Sequence, residues 1–193
     1  MWTKPQYARI PEKWYAKGRY ISIDEKGVWT YTYKSRISIS YPNGEEIKLE
    51  IQGNNEVLTE ARLQDFENTI RVQLPQQYRD FLLKYNGGYP KPYYYTISEE
   101  RGIGMVNIFY GIGELYDNLD KKIEIFDEIM DLGFIPIADD SGGNQVCLGL
   151  TEKHFGNVYF WIHDEDPEDM SNMYFLAKDF EEFLEKLYDE IEK

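Results

Sequence analysis

Apolar and polar positions alternate along the first third of the chain. RYISI (Arg19–Ile23), VWTYTY (Val28–Tyr33), RISIS (Arg36–Ser40) and IKLEI (Ile47–Ile51) carry the two-residue period of half-buried strands. Asp24–Gly27 and Pro42-Asn43-Gly44 supply turns between them. The pattern predicts a β-rich meander over residues 1–55, punctuated by Gly53-Asn54-Asn55. Residues 56–193 then form the expected main domain.

There the period lengthens. Leu63, Phe66 and Ile70 share one helical face and predict a helix from about Thr59. Pro75 suits the first turn of a second helix carrying Tyr78, Phe81, Leu82 and Tyr85. Asn86-Gly87-Gly88 closes it, because Asn and Gly accept a left-handed backbone. Tyr93–Thr96 and Ile103–Phe109 read as strands, and Ile123, Phe126 and Ile129 or Met130 predict a helix over 119–131. Three strands follow between Phe134 and Asp164. A last helix starts at Asp179, with a buried stripe of Phe180, Phe183, Leu184, Leu187 and Ile191. Helices that flank strands without strict βαβ alternation give an α+β class.

Composition narrows the function classes. A single cysteine, Cys147, forbids an intrachain disulfide and favours a reducing compartment. The start, MWTKPQYARI, has no apolar signal core, and no apolar run is long enough to span a bilayer, so a cytoplasmic location is expected. The net charge of −14 is uneven: residues 1–60 carry 9 basic and 8 acidic side chains, residues 61–193 carry 12 and 27. Such a field repels nucleic acid and anionic lipid and attracts basic proteins.

The segment FIPIADDSGGNQVCLGLTEKHFGNVYFWIHD places acids, a serine and a histidine within one run of strands. Asp140-Ser141-Gly142-Gly143 matches the surroundings of a trypsin-like nucleophile, but both histidines, His154 and His163, follow Ser141, against that family's order. Read as a calcium loop from Asp164, the chain has Asp169 where Gly is needed and Phe175 where Glu is needed. Asp139, Asp140, His163 and Asp164 would suit an open metal site, but there is no HExxH, and adjacent strand residues face opposite ways. No cofactor fingerprint is complete. Cys147 is expected to be buried, His154 solvated, and an aromatic of Tyr159–Trp161 to lie exposed beside the acidic turn.

Four segments in order carry a family likeness: LPQQYRDFLLKYNGG (Leu74–Gly88), FIPIADDSGGNQVCLGL (Phe134–Leu150), GNVYFWIHD (Gly156–Asp164) and AKDFEEFLEKL (Ala177–Leu187). Together they resemble the SUKH superfamily, which includes a yeast regulator of cell-wall synthesis. The resemblance implies a mixed sheet flanked by helices. It also implies a non-enzymatic immunity protein, without cofactor or metal, that binds and neutralises a toxin domain from a competing bacterium, often a nuclease. The partner is then a basic protein, not nucleic acid or membrane. The expected interface is Asn86, Gly87, Gly88, Tyr93, Asp139, Asp140, Asn144, Trp161, His163 and Asp164. Charge reversal at Asp139 and Asp140 is expected to weaken binding without unfolding the domain. The alternatives are a regulatory scaffold for signalling proteins and a small metal-dependent hydrolase.

Overall fold

The structure is a computed structural model that describes residues 19–23, 29–33, 38–40, 46–53, 56–166 and 170–189. The chain divides into two units, Met1–Arg36 and Ile37–Lys193. In the first, β1 (Arg19–Ile23) and β2 (Trp29–Tyr33) pair as an antiparallel hairpin. In the second, β3 (Ser38–Ser40) pairs with β4 (Glu46–Lys48). β5 (Glu50–Gln52) reaches further along the chain and pairs with β6 (Tyr89–Lys91).

Helix α1 (Glu60–Ile70) starts where Thr59 Oγ1 accepts from Arg62 N at 3.3 Å, a side-chain cap for an orphan donor. Leu63 and Phe66 are buried as their spacing requires. So is Glu67, which the apolar pattern could not announce. Its carboxylate accepts from Leu74 N at 2.7 Å and pairs with Arg79 of α2 (Gln76–Tyr85). This buried pair joins the two helices. Tyr78, Phe81 and Leu82 of α2 face the core, and Asn86 ends the helix in the left-handed conformation with φ of 49°.

β7 (Tyr94–Ser98) and β8 (Gly102–Met105) form a hairpin. The strand expected over Ile103–Phe109 therefore splits. At Val106 the chain still bonds to Tyr93, whereas Asn107 N already donates to Asp139 O, and β9 (Ile108–Phe109) joins a different sheet. The helix expected over 119–131 also breaks, into α3 (Leu119–Ile125) and α4 (Asp127–Asp131). Phe126 leaves the helical region, and its ring packs on Trp161 at 5.7 Å.

The main sheet takes β10 (Phe134–Asp139), β11 (Gln145–Gly149), β12 (Val158–Trp161) and β13 (Met173–Ala177) in the order β13-β12-β11-β10-β9. The α+β class is as expected. The mixed sheet is corrected: every ladder among the described strands is antiparallel, and the parallel contact there is the isolated bridge Gly111–Asn118. β10, β11, β12 and β13 follow one another with no α-helix between them among the described residues and pair antiparallel, as direct connections favour, and β9 is antiparallel to β10 although α3 and α4 lie between them. Side chains alternate between two cores. Val146 and Leu148 enter the larger core with Tyr78, Phe81, Phe109, Phe180 and Phe183, whereas Cys147 faces Ile129, Phe134, Trp161 and Met173.

The last helix, α5 (Phe180–Glu185), is capped by Asp179, whose Oδ1 accepts from Glu182 N at 2.8 Å. It is shorter than its apolar stripe. Leu187 is buried beyond the helix, because Tyr188 and Tyr94 exchange backbone hydrogen bonds and draw the chain onto β7. Ile191 lies outside the described residues.

Candidate functional site

The acidic turn between β10 and β11 is held together by Asp140. Its Oδ1 accepts from Gly142 N at 2.7 Å and from Asn144 N at 2.9 Å, and its Oδ2 accepts from Asn144 Nδ2 at 2.9 Å. A carboxylate that satisfies successive backbone donors in this way shapes an Asx turn. Gly143 sits at φ of 89°, a conformation glycine adopts without strain. Asn144 relays the order outward: its Oδ1 accepts from His163 N at 3.3 Å and faces His163 Nδ1 at 3.0 Å. His163 Nε2 lies 3.1 Å from Asp164 Oδ1. Asp140, Asn144, His163 and Asp164 are thus one connected chain.

Asp139 belongs to a second network. Asn107 Nδ2 donates to its Oδ1 at 3.1 Å, and Lys122 Nζ lies 3.4 Å from its Oδ2 and 3.3 Å from Asp117. Lys122 also lies 4.4 Å from the centre of the Tyr110 ring. The Tyr110 hydroxyl donates to Gln145 at 2.7 Å; burial, then the nearby Asp139 charge, pushes its pKa far up. Asp139 and Asp140 are therefore engaged inside the fold, and Asp164, 84% exposed at its side chain, is the carboxylate of this group turned to solvent.

Four of the ten expected contact residues are buried. Asn86 accepts from Ile112 N at 2.8 Å and donates to the carbonyls of Ile112 and Glu56. Gly88 exchanges two backbone hydrogen bonds of 2.9 Å with Phe109. A Cβ on Gly87 would lie 2.6 Å from the Phe109 carbonyl oxygen. Trp161 is 3% exposed, inside the smaller core. These residues are corrected from surface to scaffold: close backbone approach and core packing explain them. Tyr93 is half-buried, with its ring 4.5 Å from that of Tyr94.

β12 offers no exposed aromatic, since Phe160 and Trp161 are buried and Tyr159 is half-covered by Phe134 and Phe175. Cys147 is buried, and burial raises its thiol pKa. His154 is not simply solvated: its Nδ1 lies 3.0 Å from the Tyr159 hydroxyl and its ring packs on Phe134. Among the described residues, no three His, Cys, Asp or Glu side chains converge as metal ligands would, and no helix is long and apolar enough to cross a membrane. Part of the acidic segment after Asp164 lies outside the described residues.

Beside these turns stands an ion pair the sequence did not announce. Arg101, at the tip of the β7–β8 hairpin, bonds Glu165 and the Tyr174 hydroxyl, and Tyr174 donates to Glu165 at 2.6 Å. The Tyr174 bond, aided by Arg101, holds the Glu165 carboxyl below its ordinary range. The hairpin is thereby tied to the β12–β13 connection, at the same end of the sheet as His163.

The comparisons with known proteins agree with this architecture. The model of the SMI1 / KNR4 family (SUKH-1) matches residues 57–186. The chain is also 30% identical over 149 residues to the SPbeta prophage-derived uncharacterized protein YokK of Bacillus subtilis (strain 168), covering 68% of this chain and 76% of that one. The match spans α1 to α5 and both networks around the acidic turn, and the chain belongs to the SMI1 / KNR4 (SUKH-1) family.

Proposed function

We propose that the chain is an immunity protein that binds a cognate toxin domain in the cytoplasm and blocks it without chemistry of its own. The observation that carries this reading is the coupling of SUKH-1 membership to a strong acidic excess, −14 overall. The prophage origin in the relative's name fits a role in conflict between bacteria. The acidic turn supports binding over catalysis, because the carboxylates of Asp139 and Asp140 are spent on backbone donors, Asn144, Asn107 and Lys122.

The proposed contact surface retains Tyr93, Asp139, Asp140, Asn144, His163 and Asp164. Asp164 and His163 present the accessible polar groups, and Asp140 and Asn144 hold them in place. A toxin that grips phosphates needs a basic surface. An acidic inhibitor is steered onto such a surface quickly and then occludes it. Co-expression with candidate toxin domains from the same genome tests the reading. One domain should become harmless in the presence of this chain while unrelated toxins stay lethal. No rescue of any domain, with the chain folded and abundant, would favour the regulatory-scaffold reading.

A further inference from the structure

The segment Gly111–Asn118 forms a closed loop that the acidic turn does not include. Gly111 N donates to Asp117 O at 3.3 Å and Leu119 N donates to Gly111 O at 2.8 Å, so the ends are pinned together. Leu115 N donates to Gly113 O at 2.8 Å, and Asn118 bonds back to the Leu115 carbonyl. On this ordered loop Tyr116 stands 92% exposed, the most exposed of the large apolar and aromatic side chains described. Core packing accounts for the buried aromatics among the described residues, such as Tyr78, Tyr95 and Tyr110; nothing within the fold accounts for this one.

Tyr116 borders an open depression of about 530 Å³ that Glu114, Leu115, Asp120 and Lys121 also line. Neither Glu114 nor Asp120 makes an ion pair among the described residues. Between Gly113 and Asp131 the chain carries seven carboxylates and two lysines, and Lys122 is already held between Asp117 and Asp139. The field over the depression is negative with Lys121 included. Through Lys122, which pairs with both Asp117 and Asp139, the loop is linked to the network beside the acidic turn.

We infer that this loop is a docking site for an arginine-bearing, cationic segment of the protein partner, with Tyr116 as its aromatic anchor. The inference rests on the immunity reading for the partner's identity. A guanidinium placed over the ring would gain cation–π attraction while its charge is met by Glu114 or Asp120. A loop closed by its own hydrogen bonds loses little freedom on binding.

A peptide of alternating glycine and arginine is the probe, titrated into the full chain and followed by NMR. Amide shifts should concentrate at residues 113–121. Tyr116→Ala should weaken the peptide by roughly threefold, and Tyr116→Phe should restore it. Tyr116 is so exposed that neither variant should alter the fold, which unchanged amide positions elsewhere would verify. Shifts spread over all exposed carboxylates, or equal affinity in Tyr116→Ala, would overturn the site. Because this readout needs no toxin, it fails or succeeds apart from the immunity reading. Undiminished protection by Tyr116→Ala against a toxin that the native chain neutralises would overturn the loop's assignment to the partner.

Discussion

Asp140 holds Asn144 with both carboxylate oxygens, one on the backbone N and one on the side-chain Nδ2, each at 2.9 Å. The turn that looked like a reactive cluster is therefore a brace. This changes what its mutation should do. Asp140→Lys should cost about 1–3 kcal/mol, since charge-assisted bonds to backbone donors are lost together. Asp164→Lys, at an exposed position, should stay within about 0.5 kcal/mol of the native chain. Urea denaturation of both variants separates them, and equal stability would contradict the brace.

Gly87 adopts φ of 83°, and a Cβ there would press on the Phe109 carbonyl and on Gly111 N. Gly87→Ala should therefore lower stability by about 1–3 kcal/mol, from backbone strain with close contact on top. Thermal melting provides the check. A neutral result would mean that the turn relaxes around the added methyl.

Tyr78 is fully buried, and its hydroxyl finds no hydrogen-bond partner among the described residues. Burial pushes its pKa far above the ordinary value of 10. The folded form thus keeps the proton longer than the unfolded form. Its contribution is complete below the unfolded pKa and declines as pH rises above it. Tyr78→Phe removes an unsatisfied polar group at little cost in packing. It should be neutral or more stable by about 1 kcal/mol at pH 7, and should lose less stability between pH 9 and about 11.

Glu165 and Glu182 have carboxyls held below their ordinary 4.5, Glu165 by Tyr174 and then Arg101, Glu182 by Lys178 N and then Lys186. Depressed folded-state values mean that the stabilisation is present above the unfolded pKa and is lost as pH falls through the folded values. Stability should drop on acidification below about pH 4.5. Tyr174→Phe with Arg101→Ala should flatten that drop, while salt reduces it in the native chain. Acid titration followed by circular dichroism reads both.

Much of the architecture was legible because it is written in local terms. Thr59 before Leu63 and Phe66, Pro75 before Tyr78 and Phe81, and Asp179 before Glu182 each combine a cap with a spaced apolar face. Departures occur where a distant partner overrides the local pattern. Phe126 breaks a helix to reach Trp161, Asn107 changes sheets to meet Asp139, and Tyr188 ends a helix by pairing with Tyr94. The buried pair of Glu67 and Arg79 has no signature in the apolar pattern, because charge alone does not reveal burial. The expected interface joined residues with similar motifs but different environments. Burial separated Asn86, Gly87, Gly88 and Trp161 from His163 and Asp164. Tyr116 was missed because nothing in the apolar periodicity distinguishes an exposed tyrosine on a turn from a core one.

The most direct test of the central claim is calorimetry of the purified chain with the toxin domain identified by co-expression, repeated across salt. The account predicts a one-to-one complex whose affinity falls as salt rises and falls further in Asp164→Lys, with the variant still folded. Absence of binding by a domain that the chain protects against, or binding indifferent to both salt and Asp164, would contradict electrostatic occlusion.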